Sequence, residues 1–159
     1  MSIVMKHGFF NEKEAYAQDF DMFVHGCNAQ GVMGAGVAKM VRSEFKFAYD
    51  AYMDVHAGGI GGLVVGDCIF AVDPETGFVV GNAITQLNYG TDRRQVNYEA
   101  VYRSLELVRD YAIRHDMRKI AMPMIGCGLA GGEWAIVHAM IQSIFGCIDD
   151  IEVTVYYVG

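Results

Sequence analysis

Apolar residues along this chain fall into two alternating kinds of run. Short runs bounded by turn residues predict strands over residues 2–6 (SIVMK), 21–27 (DMFVHGC), 63–72, 78–84, 119–123 (KIAMP) and 151–157 (IEVTVYY). Between them the spacing changes to three and four. Val37, Met40, Val41, Phe45, Ala48, Ala51, Tyr52 and Val55 predict one amphipathic helix of about five turns, opening near Gly34 and ended by the glycines of 57–62. Tyr98, Val101, Leu105, Val108 and Ala112 predict a second helix. Val137, Met140, Ile141 and Ile144 predict a third, running from Glu133 to about Phe145. Residues 12–19 read as a loop or short helix, and 85–96 as a polar loop. Asp73-Pro74 opens a turn between two strands and Gly77 closes it.

Strands alternating with helices predict an α/β fold, here a three-layer α/β/α sandwich with a mixed central sheet. No repeat or linker interrupts the pattern, so residues 1–159 read as a single domain. Ligands of such sheets bind beyond the carboxyl ends of the strands. Two side-chain-poor stretches stand at such ends: HGCNAQGVMGAGVAK (25–39) and PMIGCGLAGGEW (123–134).

Composition narrows the function classes. Hydrophobic residues make up 53% and charged residues 19%, the balance of a folded globular chain. The net charge of −7 disfavours a polyphosphate backbone as partner, so general nucleic-acid binding is not expected. No apolar run is long enough to span a membrane, and the N-terminus lacks signal-peptide anatomy, so a soluble cytoplasmic protein is expected. Cys27, Cys68, Cys127 and Cys147 are scattered without a CxxC pair, which predicts free, mostly buried thiols and no metal site.

The first loop offers neutral chemistry. Asn28 and Gln30 each carry an amide donor and acceptor suited to sugar hydroxyls. Gly31, Gly34 and Gly36 let a ligand approach the backbone, and Gly34 to Val37 open a helix with unpaired N–H groups, a nest for an anion. It is not a P-loop, since no GK[ST] follows, and GVMGAG is not a GxGxxG fingerprint. In the second loop four glycines surround Cys127, Leu129 and Ala130 ahead of a helix start, a composition able to wrap a diphosphate with main-chain N–H groups. Shaping tight turns is the plainer reading of either loop taken alone.

HGCNAQGVMGAGVAKMVRSEF, GNAITQ, NYEAVYRSLE, MPMIGCGLAGGEW and VTVYYVG, in that order, resemble the macrodomain family, the ADP-ribose-binding fold. The resemblance runs over nearly the whole chain. It is nearest to small stand-alone members that process ADP-ribose-1''-phosphate or remove ADP-ribose from protein carboxylates. It implies that Asn28, Gln30, Gly31, Met33, Gly34, Ala35, Gly36 and Val37 face a ribose and a phosphate. Ile125, Gly126, Cys127, Gly128, Leu129 and Ala130 would wrap the diphosphate. Tyr156 would lie near the adenine, the alternative being a core or rim tyrosine. The implied ligand is ADP-ribose or ADP-ribose-1''-phosphate, free or on a modified protein, with no cofactor and no metal.

The chain departs from the family pattern at three places. Gly8 stands where an Asp usually meets the adenine amino group, with Asn11 or a backbone group as substitutes. Gln86 and Ala130 stand where one branch uses a Lys and an Asp for a covalent lysine adduct. A glutamine forms no Schiff base and an alanine is no base, so that mechanism is not expected here. What remains is hydrolysis at the distal ribose, with His25 as proton shuttle and Asn28 orienting the ribose or a water. The plainer reading of His25 is a hydrogen-bonded structural histidine. Cys127 reads as a lining group rather than a nucleophile, and Arg93 and Arg94 as an exposed charge pair. The expected activity is phosphate release from ADP-ribose-1''-phosphate. A binding module, a de-ADP-ribosylating hydrolase without the lysine, or a pocket for another nucleotide are the alternatives.

Overall fold

The computed structural model describes residues 2–10, 16–58 and 61–158. Its elements run β1 (Ser2–His7), α1 (Tyr16–Asp19), β2 (Met22–Asn28), α2 (Gly36–Glu44), α3 (Lys46–Ala57), β3 (Cys68–Val72), β4 (Val79–Gln86), α4 (Tyr98–Arg114), β5 (Lys119–Pro123), α5 (Trp134–Phe145) and β6 (Glu152–Tyr157). Asn11 lies outside the described residues.

The six strands form one sheet in the order β1-β6-β5-β2-β4-β3. All neighbours are parallel except β3, which pairs antiparallel with β4 across the Asp73–Gly77 turn. Strand alternation sorts the core into two layers. Met22, Val24, Ile120, Met122, Val153 and Val155 meet the apolar stripes of α4 and α5 on one face. Phe23, Cys27, Val80, Ile84 and Ala121 meet α2 and α3 on the other. This is the expected α/β/α sandwich with a mixed sheet. No helix among the described residues is long and apolar enough to cross a membrane.

Two expectations are corrected. The single helix opening near Gly34 is two helices, broken at Phe45, whose φ of −124° and ψ of 64° leave the helical region. The apolar spacing runs through Phe45 without a breaker residue, so sequence gives no sign of the joint. The break sinks the Phe45 ring among Phe10, Phe23 and Phe78, with centroids 5.9–6.4 Å away. The predicted strand over 63–72 shortens to Cys68–Val72, because the segment before it turns: Gly66 N–H donates to Ile84 O (2.7 Å) and Asp67 N–H to Val64 O (3.0 Å).

The ladder between β2 and β5 is short. Only Met22↔Ile120 and Phe23↔Ala121 are paired, while β2 stays paired to β4 as far as Asn28. Beyond Phe23 the sheet therefore parts between its two central strands. That is also where the connections change direction, since β2 leads toward β3 and β4 and β5 leads toward β6 and β1. Such a switch point is where open α/β sheets hold ligands.

Tyr52, fully buried on α3, ties down the turn that follows β2. Its hydroxyl donates to Asn28 O (2.7 Å) and accepts from Gly31 N–H (3.1 Å). Tyr52→Phe strips both partners and is expected to cost about 1–3 kcal/mol of stability. Urea denaturation of the two proteins measures it, and equal midpoints would show the turn to be held by other means.

Candidate functional site

The parted strands open into a cleft of about 960 Å³, within the range of small-molecule sites. One lip is the start of α2. Gly34, Ala35, Gly36 and Val37 line it. Ala35 caps the helix in extended conformation without a side-chain hydrogen bond, and the first intrahelical bond runs from Lys39 N–H to Ala35 O. The N–H groups of Gly36, Val37 and Ala38 thus precede the ladder and carry the positive end of the helix dipole.

The opposite lip is the turn after β5, where all six residues from Ile125 to Ala130 line the cleft. Gly126 takes φ +74°, and a Cβ there would come within 2.5 Å of Val96 Cγ2, so only glycine fits. The turn is braced by Cys127 N–H to Met124 O (3.1 Å) and Gly132 N–H to Gly126 O (2.7 Å). The Ala130 carbonyl accepts from Gln95 N–H (2.9 Å). Among the described residues, the N–H groups of Gly128, Leu129 and Ala130 donate to no protein acceptor. The lips meet: a Cβ placed on Gly36 would lie 3.5 Å from Leu129 Cδ1.

The far wall is aromatic. Parallel pairing of β1 with β6 brings Gly8 beside Tyr157, with Gly8 N–H donating to Tyr157 O (2.8 Å). Phe9, Phe10, Tyr156 and Tyr157 line this end, and Phe10 meets Tyr156 edge-on at 5.5 Å. Gly8 lines it too, with φ +124° and nothing within 4 Å of where a Cβ would be. Among the described lining residues none is charged.

Several expected site residues lie elsewhere. His25 does not line the cleft; it is fully buried on the α3 side of β2. Its Nε2 donates to Asn82 Oδ1 (2.6 Å), an orientation fixed because Asn82 Nδ2 donates to Ala48 O (3.1 Å). Loss of solvent lowers its pKa to about 4, partly offset by the Asn82 bond, so the imidazole is neutral around pH 7. The proton shuttle is thus corrected to the structural histidine that was its alternative. Met33 is a core residue at 1% exposure. Gly31 packs on the His56 ring at φ +77°, and a Cβ there would sit 2.5 Å from His56 Cδ2. Gln30 donates from Nε2 to Leu87 O (3.1 Å) and belongs to a shallower hollow with Asn88, Tyr89, Asp92, Arg93 and Gln95.

Asn28 does line the cleft, but its amide is largely spent on its own turn. Nδ2 donates to Val32 O (2.8 Å), and Oδ1 accepts from Gln30 N–H (3.0 Å). It shapes the lip more than it reaches a ligand. Cys127 donates its thiol to Ile125 O (3.3 Å), and partial burial pushes its pKa up to about 11, so it stays protonated. Cys27 also lines the cleft with its thiol raised by burial. Of the four cysteines, Cys27 and Cys68 are buried, Cys127 is half-buried and Cys147 is exposed. Gln86 lines the cleft and donates from Nε2 to Asn88 O (2.6 Å). Arg94 lies over the Tyr98 ring at 4.7 Å, away from the cleft. Among the described residues no three His, Cys, Asp or Glu side chains gather as a metal site.

Sequence reasoning missed Phe9, Phe10, Thr85, Gln86 as a lining group, and Tyr157. The aromatic wall depends on pairing between the two ends of the chain, which local pattern does not carry. Thr85 had a faint signal, as a polar residue at the end of an apolar run.

A family model described as Macro domain matches residues 24–141. The chain belongs to the macrodomain family. ADP-ribose glycohydrolase OARD1 of cattle is 27% identical over 136 residues, 86% of this chain and 81% of that protein. The human protein of the same name is 39% identical over 59 residues, only 37% of this chain and 38% of that one. The DNA ADP-ribosyl glycohydrolase of Thermus aquaticus is 30% identical over 139 residues, 86% of this chain but 37% of that protein. The solved macrodomain of Thermus aquaticus DarG superposes with a TM-score of 0.74 at 25% identity, covering 98% of this macrodomain chain and 99% of the other.

The buried His25 makes a pH prediction. Its pKa is 6.5 when unfolded and about 4 when folded, so the unfolded chain binds the extra proton between those values. Stability contributed by the neutral ring is full above pH 6.5 and is lost as pH falls toward 4, on the order of 3 kcal/mol. His25→Gln is expected to flatten the fall in melting temperature between pH 6.5 and 4, whatever its absolute stability. An unchanged slope would place the titration elsewhere.

Proposed function

We propose that this macrodomain binds ADP-ribose, free or carried on a larger molecule, and that binding is its primary act. The observation that carries this reading is the meeting of the two side-chain-poor lips, Gly34–Ala38 and Gly126–Ala130, across one cleft. The α2 N-terminus and the N–H groups of 128–130 suit the two phosphates of a pyrophosphate without a Lys or Arg. The aromatic end, with Tyr156, suits a purine face. The names of the cattle, human and Thermus relatives support an ADP-ribosyl ligand.

Chemistry is the second reading, and those same names favour it. The residues at hand narrow how it would run. Gln86 and Ala130 stand where a lysine adduct would need an amine and a base. The release of phosphate from ADP-ribose-1''-phosphate has lost its proton carrier with the burial of His25. The two lining thiols, Cys27 and Cys127, are both raised by burial and stay protonated near neutrality. Any hydrolysis would rest on oriented water and the N–H groups of the lips, which stabilise developing negative charge without moving a proton.

Titration calorimetry with ADP-ribose is expected to give a dissociation constant of about micromolar order, near −8 kcal/mol. Gly36→Val, which forces a branched side chain at φ +59° against Leu129, is expected to weaken it at least tenfold. In parallel, no phosphate should leave ADP-ribose-1''-phosphate and no ADP-ribose should leave modified protein or DNA. Turnover on any of these would move the protein to the hydrolytic reading, and absence of binding would remove both.

A further inference from the structure

We propose that Thr85 and Gly26 form a built socket in the cleft floor for one uncharged oxygen, an ordered water or the ligand hydroxyl that displaces it. The ladder between β2 and β4 runs in step from Met22↔Val79 to Cys27↔Ile84 and then jumps to Asn28↔Gln86. Thr85 is the skipped residue, a bulge at the mouth of the site, and bulges there re-aim a side chain. Its backbone is held, because Thr85 O accepts from Asn97 N–H (2.8 Å) ahead of α4. Its side chain is not. Thr85 is 1% exposed, and its hydroxyl is the buried side-chain oxygen or nitrogen that, among the described residues, has no hydrogen-bond partner.

A buried hydroxyl without a partner costs stability, so it calls for an oxygen or nitrogen from outside the chain. Gly26 supplies the room. A Cβ on Gly26 would come within 2.8 Å of Thr85 Oγ1 and 3.4 Å of Ile125 Cγ2, and Gly26 does not have a positive φ that would itself demand glycine. A side chain on Gly26 would press on the hydroxyl and on Ile125 at the second lip. Both residues line the cleft, where β2 has already parted from β5. A hydroxyl donates one hydrogen and accepts, which matches water or a sugar hydroxyl and has no preference for a full charge.

Two measurements on the intact chain test this. A high-resolution crystal structure of the ligand-free protein is expected to show an ordered oxygen within about 3.2 Å of Thr85 Oγ1, absent in Thr85→Val. A hydroxyl turned onto a protein carbonyl, with no such oxygen, overturns the proposal. The second measurement rests on the ADP-ribose reading of the cleft. Thr85→Val is expected to weaken ADP-ribose binding roughly three- to tenfold with an unchanged melting temperature, Thr85→Ser to restore it, and Gly26→Ala to weaken it by blocking the socket. Parental affinity in Thr85→Val overturns the proposal, as does a loss that Thr85→Ser shares. If the parent does not bind ADP-ribose, that earlier reading falls, and the socket stands or falls on the crystal oxygen alone.

Discussion

The parting of β2 from β5 after two paired residues is the constraint on which the rest of the molecule depends. Had the ladder continued, the carboxyl ends of the central strands would close over one another and no cleft would exist. Because it stops at Phe23↔Ala121, the chain can turn out of each strand on its own side of the gap. Both turns then need backbone shapes that side chains obstruct. Gly126 sits where any Cβ strikes Val96, and Gly36 sits against Leu129 at φ +59°. Gly126 is thus set by the close approach of Val96 and Gly36 by its positive φ beside Leu129, while the nearness of the two lips brings main-chain N–H groups from both sides to one cleft.

Electrostatics follows from the same geometry. The protein carries a net charge of −7, yet no described lining residue is charged. An anion held here is held by dipoles, from the α2 N-terminus and the turn after β5, which are fixed in place before the ligand arrives. Fixed dipoles in a sheltered cleft lose little to reorganisation and need no counter-ion. They favour negative charge but move no protons. A cleft so built is suited to holding a pyrophosphate and is poorly equipped for acid–base work. On the proposed reading binding comes first, although the relatives carry the name of glycohydrolases.

Much of this was legible in the chain. The strand ends at Pro123, the helix over Tyr98–Arg114 and the two loops at strand ends follow from apolar spacing and glycine placement. What was not legible depends on contacts between distant segments. In sequence, His25 reads as a proton shuttle because it ends a strand beside a loop, with a structural histidine as the plainer alternative. Its burial follows from α3 covering that face, where Asn82, itself held by the Ala48 carbonyl, receives it. Met33 carried a weaker signal, since Val32 beside it is equally apolar yet exposed. The helix break at Phe45 left no trace, since a buried phenylalanine fits the spacing of one helix or two. Thr85 became conspicuous only when the register of β4 against β2 skipped it.

The claim that both lips grip one ligand is tested most directly by amide hydrogen exchange with and without ADP-ribose. Slowed exchange is predicted together at 36–38 on α2 and at 128–130 in the turn after β5, with equal dependence on ligand concentration. Protection at one lip only, or at neither while the protein still binds, would contradict the account.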